Sequence, residues 1–161
     1  MDATEDPAGD PVDAVADAFV TASRALVGLA VHSIGVGAPE VTVAQFRLLV
    51  LLAASGERTV GDVAEHLGVA QSNASRHCDR LQRLGLVARR RSRSDGRVVR
   101  VRLTDEGRAL VDAVDRRRRG EVHRLLGRMT PEERSGALEA MRAFSRAADE
   151  LGERSWVVQA W

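Results

Sequence analysis

Apolar residues recur at the three-to-four-residue spacing of an α-helix along most of the chain. The first such stripe predicts a long helix from about Pro11 to Ile34, which Gly35 and Gly37 then end. Its members are Val15, Phe19, Ala22, Leu26, Leu29 and Ile34. A stripe of this length needs a partner surface to cover it.

Two capping boxes mark the starts of the next helices. In Thr42-Val-Ala-Gln45 and Thr59-Val-Gly-Asp62, a threonine stands three residues before a side chain that can reach back to it. The boxes predict a second helix that runs to about Ala54 and a short third helix that ends at Leu67-Gly68.

A fourth helix is predicted from Gln71 to Leu84. The apolar residues of its inner face are Ala74, Cys78 and Leu81. Ala70 stands at the expected N-cap and has no capping side chain, so Ser72 or Asn73 is an alternative start. The register of this helix is therefore open by a residue or two.

The apolar pattern changes to strict alternation after Gly85. Between Val99 and Leu103, apolar residues alternate with arginines, and the preceding Asp95-Gly96 is a turn dipeptide. Leu86, Val87 and Ala88 lead into the arginines on the other side of that turn. This pattern predicts a β-hairpin.

Two more helices follow the hairpin. Thr104 caps one that runs toward Leu126, and the capping box Thr130-Pro-Glu-Glu133 opens another that runs to about Leu151. The predicted fold is therefore mainly α with a small β-hairpin wing: a winged helix-turn-helix flanked by N- and C-terminal helices.

Composition supports a helical core and an intracellular protein. Only 3% of the 161 residues are aromatic, so Leu, Val and Ala must build the core, which argues against an all-β sandwich. Cys78 has no partner for a disulfide, and the acidic N-terminus is unlike a signal peptide. The apolar run from Phe46 to Ala54 is too short to span a bilayer. We expect a soluble, cytoplasmic protein.

Charge is sorted along the chain. Residues 1–40 carry one arginine against seven acids, whereas residues 41–103 carry twelve arginines against five acids. Residues 104–161 balance, with eleven of each. The basic block predicts a surface that binds a polyanion such as DNA.

The stretch from Leu67-Gly68-Val69 to Leu84-Gly85-Leu86-Val87 resembles the MarR family of bacterial transcriptional regulators. Asp95-Gly96-Arg97 and Leu103-Thr104-Asp105-Glu106-Gly107 are similar to that family's wing motif and to the start of its next helix. The resemblance covers residues 11–152.

The resemblance implies a division of the chain. Residues 41–103 would be the DNA-binding domain, and residues 10–40 and 104–152 the helical dimerisation region. Residues 1–9 are expected to be a disordered tail, and residues 153–161 a C-terminal tail. The first, fifth and sixth helices would intertwine in a homodimer that sets two recognition helices roughly 34 Å apart on a pseudo-palindromic operator. Such a regulator would be a repressor, released by a small aromatic or phenolic ligand.

Residues for DNA contact follow from this fold. Short polar side chains at the start of the fourth helix are expected at base edges in the major groove. These are Gln71, Ser72, Asn73, Ser75 and Arg76. Phosphate contacts are expected from Arg80, Arg83, Arg89, Arg91 and Arg93. By resemblance, Arg97 would enter the minor groove, with Asp95 holding it in position.

The same residues also allow interpretations other than contact with DNA. Arginines four apart are usually a solvated helix face, and the run from Arg89 to Arg93 could protect an edge strand from aggregation. A winged helix could also bind an acidic protein without operator specificity. An enzyme with Cys78 as nucleophile would need an exposed thiol of low pKa, whereas its position among apolar residues predicts burial.

A ligand site is suggested only by resemblance. Arg24 and His32 could line the cleft between the dimerisation helices and the DNA-binding lobe, although packing or solvent exposure also explains them. The histidines show no metal-ligand spacing, and we expect no metal, cofactor or catalytic role. They are His32, His66, His77 and His123.

Overall fold

The computed structural model describes residues 11–91 and 98–150. Its elements are α1 (Pro11–Gly37), α2 (Val43–Ser55), β1 (Arg58–Thr59), α3 (Val60–Leu67), α4 (Gln71–Arg83), β2 (Val87–Arg91), β3 (Val99–Leu103), α5 (Asp105–Leu126) and α6 (Pro131–Glu150). This order confirms the predicted mainly helical fold with a small antiparallel sheet. The two predicted tails and the Asp95-Gly96 turn lie outside the described residues.

The first helix is longer than its glycines predicted. It continues through Gly35 and ends at Gly37. Ile34 and Ala38 are both buried, and the Ala38 N–H donates to the Ile34 carbonyl at 2.7 Å. Burial of this last turn offsets the modest cost of glycine in a helix, about 1 kcal/mol.

Helices α2, α3 and α4 form the core of the central lobe. Both predicted capping boxes are present, at Thr42 with Gln45 and at Thr59 with Asp62. Gly68 ends α3 in the left-handed conformation (φ 65°), which lets α4 turn back against α3. The core side chains with no exposed surface include Leu48, Leu49, Leu52, Val63 and Leu81.

The sheet has a third strand that the alternating pattern of apolar and polar residues did not predict. β3 lies between β2 and the two-residue β1, and both pairings are antiparallel. Arg58 pairs with Val101 and Thr59 with Arg100. Because β1 is too short to show a period, the sequence predicted only the hairpin.

The start of α5 is locked to the base of the hairpin. The Thr104 hydroxyl donates to the Gly85 carbonyl at 2.7 Å and accepts from the Gly107 N–H at 3.0 Å. The Thr104 N–H donates to the Leu86 carbonyl at 3.2 Å. These bonds fix the direction in which α5 leaves the central lobe.

Long parts of α1 and α6 expose apolar side chains. Val15 and Leu26 of the predicted stripe are 55% and 46% exposed, and Phe144 on α6 stacks on Phe19 with ring centroids 4.7 Å apart. By length and composition alone, Val12–Gly37 could cross a membrane, so α1 rather than Phe46–Ala54 is the long apolar segment of the described chain. Only 6% of the most apolar window is buried within the described part of the chain, so most of the stripe lacks the cover that its pattern requires, while Ile34 at its end is buried.

Candidate nucleic-acid interface

Helix α4 presents a polar surface opposite its buried face. Ala74, Cys78 and Leu81 are buried, as predicted. Gln71, Ser72 and Arg76 are exposed at the start of the helix, while Asn73 and Ser75 are half-buried. Arg80 and Arg83 are exposed in its last turn. The polar side chains predicted to read DNA thus share one helix whose other side anchors it in the lobe.

The start of α4 is at Gln71. Ala70 is the N-cap, without a side-chain hydrogen bond, and its carbonyl accepts from the N–H groups of Asn73 and Ala74. The alternative starts at Ser72 and Asn73 are therefore wrong. An uncapped start leaves the first N–H groups of the helix directed outward, where an anion can accept from them. The Asn73 side chain instead accepts a hydrogen bond from Arg76.

The wing is joined to α4 by an ion pair between Arg89 and Asp79. The Arg89 side chain is 17% exposed, and Asp79 stands on the recognition helix between Cys78 and Arg80. The sequence predicted a phosphate contact for Arg89 and did not indicate a role for Asp79. The structure gives Arg89 a protein partner, and its contact with DNA stays a prediction.

The next arginine, Arg90, faces the opposite side of the sheet and contacts Glu57. Its Nε and Nη2 donate to the two carboxylate oxygens at 2.8 and 2.9 Å. Arg100 lies 3.7 Å from the same carboxylate. The hydrogen bonds from Arg90 hold the pKa of Glu57 below its ordinary value, although burial acts in the opposite direction. Glu57 is thus a charged carboxylate between two guanidinium groups.

Of the remaining predicted wing residues, only Arg91 lies within the described part of the chain. Arg91 is exposed at the end of β2, opposite Val99. Arg93, Asp95 and Arg97 lie outside the described residues. A cleft of about 260 Å³ separates the start of α4 from the wing base and is lined by Gln71, Ser75, Arg89 and Val99, among others. The start of α4 and the arginine-bearing strand are therefore direct neighbours.

Cys78 is buried, as its position predicted. Its side chain has no exposed surface, and desolvation raises the pKa of the thiol, with Arg89 acting weakly against this shift. A nucleophilic thiol needs access and a lowered pKa, and Cys78 has neither. Among the described residues, no group of three or more His, Cys, Asp or Glu side chains could hold a metal ion.

The two residues proposed for ligand binding are not brought together. His32 lines an open groove of about 530 Å³ between α1 and the end of α5, with Glu121, Arg124 and Arg128. Its Nε2 lies 3.9 Å from Glu121, whose other carboxylate oxygen is 3.1 Å from the Ser33 hydroxyl. Arg24 is exposed and is not among the residues that line this groove.

A second, more enclosed cavity of about 310 Å³ lies between α1, α2 and α5. Its walls are mainly apolar and include Val31, Ile34, Phe46 and Val50. Charged side chains complete the lining: Arg47, Asp115 and Arg118. This cavity suits a ligand that is mostly apolar with one anionic group. The sequence did not reveal this cavity, because α5, which completes its walls, lies far along the chain from α1 and α2.

Comparison with known proteins agrees with this architecture. A model of the MarR family matches residues 40–98. The uncharacterized HTH-type transcriptional regulator YfiV of Bacillus subtilis is 31% identical over 110 residues, which are 68% of this chain and 69% of that protein. The HTH-type transcriptional repressor MdtR of the same organism is 33% identical over 109 residues, 68% of this chain and 70% of MdtR.

Solved structures extend the likeness to the flanking helices. RV1404 from Mycobacterium tuberculosis superposes with a TM-score of 0.77 at 37% identity, over 89% of this chain and 98% of RV1404. Bordetella bronchiseptica BpsR superposes with a TM-score of 0.55 at 27% identity, over 81% of this chain and 98% of BpsR. The BpsR structure concerns regulation of its DNA binding by 6-hydroxynicotinic acid.

Proposed function

The chain belongs to the MarR family of winged-helix transcriptional regulators, and we propose that it is a sequence-specific repressor that binds a pseudo-palindromic operator as a homodimer. The observation that carries the proposal is the cleft in which Gln71 and Ser75, from the polar start of α4, lie beside Arg89 of the wing, which also pairs with Asp79 further along the same helix. Both elements belong to the segment with twelve arginines against five acids. The repressor MdtR is a relative that supports the direction of regulation.

Each element has a distinct role on DNA. The exposed start of α4 reads base edges in the major groove, because a helix in that groove directs its first residues at the bases. Arg80, Arg83 and Arg91 contact phosphates and fix the register. Arg97 enters the minor groove with support from Asp95, as the wing motif implies.

Residues 10–40 and 104–152 serve as the dimerisation region. The exposed apolar side chains of α1 and α6 support this role, since monomeric proteins rarely leave so extended an apolar surface uncovered. A second copy of the chain supplies the same surface, and a two-fold interface is self-complementary. The dimer acts in the cytoplasm, where bacterial operators lie.

The effector is a small aromatic acid bound in the cavity between α1, α2 and α5. Its apolar walls accept a ring, and Arg47 offers a guanidinium group for a carboxylate. BpsR responds to an aromatic acid of this kind. The cavity joins dimerisation helices to the DNA-binding lobe, so a ligand that fits one lobe spacing better than another releases the operator. The open groove at His32 is less enclosed, and Arg24 lines neither site.

Selection of bound duplexes from a random DNA library tests the proposal. We expect enrichment of one pseudo-palindromic sequence, whose binding weakens steeply as salt rises. Ser75→Arg, which places a bulky side chain at the expected base edge, should abolish enrichment, whereas Glu139→Gln on α6 should not. Absence of any enriched sequence would favour the rival, a winged helix that binds an acidic protein.

The same selection, repeated with 6-hydroxynicotinic acid, tests the effector class. We expect lower operator occupancy with the acid present, and no response in Arg47→Ala. A response that persists in Arg47→Ala would place the effector elsewhere.

A further inference from the structure

The outer face of the wing sheet concentrates positive charge. We define it as the face that carries Ala88, Arg90, Arg100 and Arg102. In the register of β2 and β3, Arg90 is directly opposite Arg100, and Ala88 is opposite Arg102. Like charges directly opposite one another destabilise a strand pair unless a counter-charge lies between them.

Glu57 provides that counter-charge. It receives two hydrogen bonds from Arg90, at 2.8 and 2.9 Å, and lies 3.7 Å from Arg100. A planar guanidinium that meets both oxygens of a carboxylate is the strongest form of such a pair. Arg90 and Arg100 are 58% and 41% exposed even with this contact in place, so both guanidinium groups lie at the surface with Glu57 as their counter-charge.

The carboxylate is held in place by the framework around it. Gly56 caps the end of α2 with a φ of 74°, and Arg58 begins the strand that pairs with β3. The Glu57 side chain is 22% exposed. The contact therefore ties the outer face of the wing to the end of α2, on the side away from the Asp79–Arg89 pair.

We propose that Glu57 is a specificity-determining positioning residue for DNA binding: by holding Arg90 and Arg100 on the outer face, it withholds two guanidinium groups from sequence-independent phosphate contacts. The inference rests on the proposed function. Affinity for arbitrary duplexes grows with the number of phosphates that cations neutralise, whereas discrimination comes from base contacts. An acid that occupies two arginines thus lowers affinity for competing sites more than affinity for the operator.

The test compares Glu57→Gln with the wild-type protein on two duplexes of equal length, the selected operator and a shuffled sequence. We expect Glu57→Gln to bind the shuffled duplex about threefold to tenfold more tightly. Its plot of log affinity against log salt should steepen by about 0.9 for each arginine freed. Operator affinity should rise less, because loss of the contact also loosens the wing, and the ratio of the two affinities should fall.

Three control variants separate the contact from the change in net charge. Glu65→Gln removes an exposed acid from α3 in the same lobe and should leave the ratio near its wild-type value. Glu57→Asp keeps the charge but shortens the side chain, and should shift the ratio as Glu57→Gln does. The double variant Glu57→Gln/Arg90→Ala should lose most of the affinity for the shuffled duplex that Glu57→Gln alone gains. Thermal unfolding verifies that each variant is folded. If Glu57→Gln does not fold, Glu57→Asp provides the test in its place.

Two results overturn the inference in distinguishable ways. If the wild-type protein selects an operator but Glu57→Gln and Glu65→Gln shift both affinities equally, only net charge matters and Glu57 has no special role. If the wild-type protein binds neither duplex, the proposed function fails together with the inference.

Discussion

Three consecutive arginines at the end of β2 have three different surroundings. Arg89 pairs with Asp79 on α4 and is largely buried. Arg90 points to the other face of the sheet and is held by Glu57. Arg91 returns to the first face, beyond the end of the core, and is exposed. The alternation of side chains along a strand separates these roles, because neighbouring residues face opposite sides.

This difference predicts opposite results for two alanine substitutions. Arg89→Ala should lower the free energy of unfolding by about 1 kcal/mol, because it removes a charge-assisted contact that joins two elements. Arg91→Ala should change stability by less than about 0.5 kcal/mol. It should instead reduce the slope of log DNA affinity against log salt by about 1, the contribution of one phosphate contact.

Urea denaturation and DNA titration, run on both variants, check this prediction. Unchanged stability in Arg89→Ala would show that the ion pair contributes nothing, as is common for exposed pairs.

Where the wing meets α5, Gly107 makes the closest approach to its surroundings of any glycine that the structure describes. A Cβ atom on Gly107 would lie 2.1 Å from the Leu86 carbonyl oxygen and 2.8 Å from Leu103 Cδ1. Thr104 bonds to the same strand end. The Leu-Thr-Asp-Glu-Gly stretch that resembled a family motif therefore has a physical reason: its glycine lets the helix lie directly on the hairpin base.

Gly107→Ala should destabilise the protein by about 1–3 kcal/mol, since the new methyl group meets a backbone atom that cannot easily move. Gly120→Ala is the matched control in the same helix, because a Cβ there meets nothing within 4 Å. That change should stabilise α5 by roughly 0.5–1 kcal/mol, the usual difference between alanine and glycine in a helix. Chemical denaturation of both variants measures the contrast. Equal effects would contradict the close approach.

In the molecule as a whole, a single chain leaves large apolar side chains of α1 and α6 exposed to solvent. Leu138, Met141 and Phe144 recur three residues apart on α6 and are 50%, 43% and 56% exposed. On α1, Val12, Val15 and Val20 are more than half exposed. The lobe that carries α4 has a filled core, whereas these two helices have apolar faces without cover. The proposed homodimer would cover them with surface of the same chemistry.

Met141→Arg should convert the dimer to a monomer and weaken operator binding by at least about tenfold, because each half-site is then bound separately. Glu139→Arg introduces the same side chain on the opposite face of α6 and should leave the assembly intact. Sedimentation at several protein concentrations, followed by operator titration, separates the two. A wild-type protein that sediments as a monomer would refute the proposed assembly.

Elements whose signals are local could be predicted from the order of residues alone. The capping boxes at Thr42 and Thr59 predicted the starts of α2 and α3, whereas the start of α4, after the uncapped Ala70, was left open by a residue or two. Apolar residues recur every three to four positions in the helices and every two in the hairpin, which distinguished the two. The same spacing predicted which residues of α4 are buried. Such features depend on residues within a turn or two of one another, which is why the chain order reveals them.

Contacts between residues distant in the chain are visible only in the folded protein. Strand β1 exists because β3 supplies its hydrogen-bond partners. Glu57 and Asp79 became part of the site because folding brings each beside an arginine of β2, 33 and 10 residues away in the chain. The cavity between α1, α2 and α5 likewise depends on how three helices pack. No local pattern records these neighbours, since they are selected by the packing of the core.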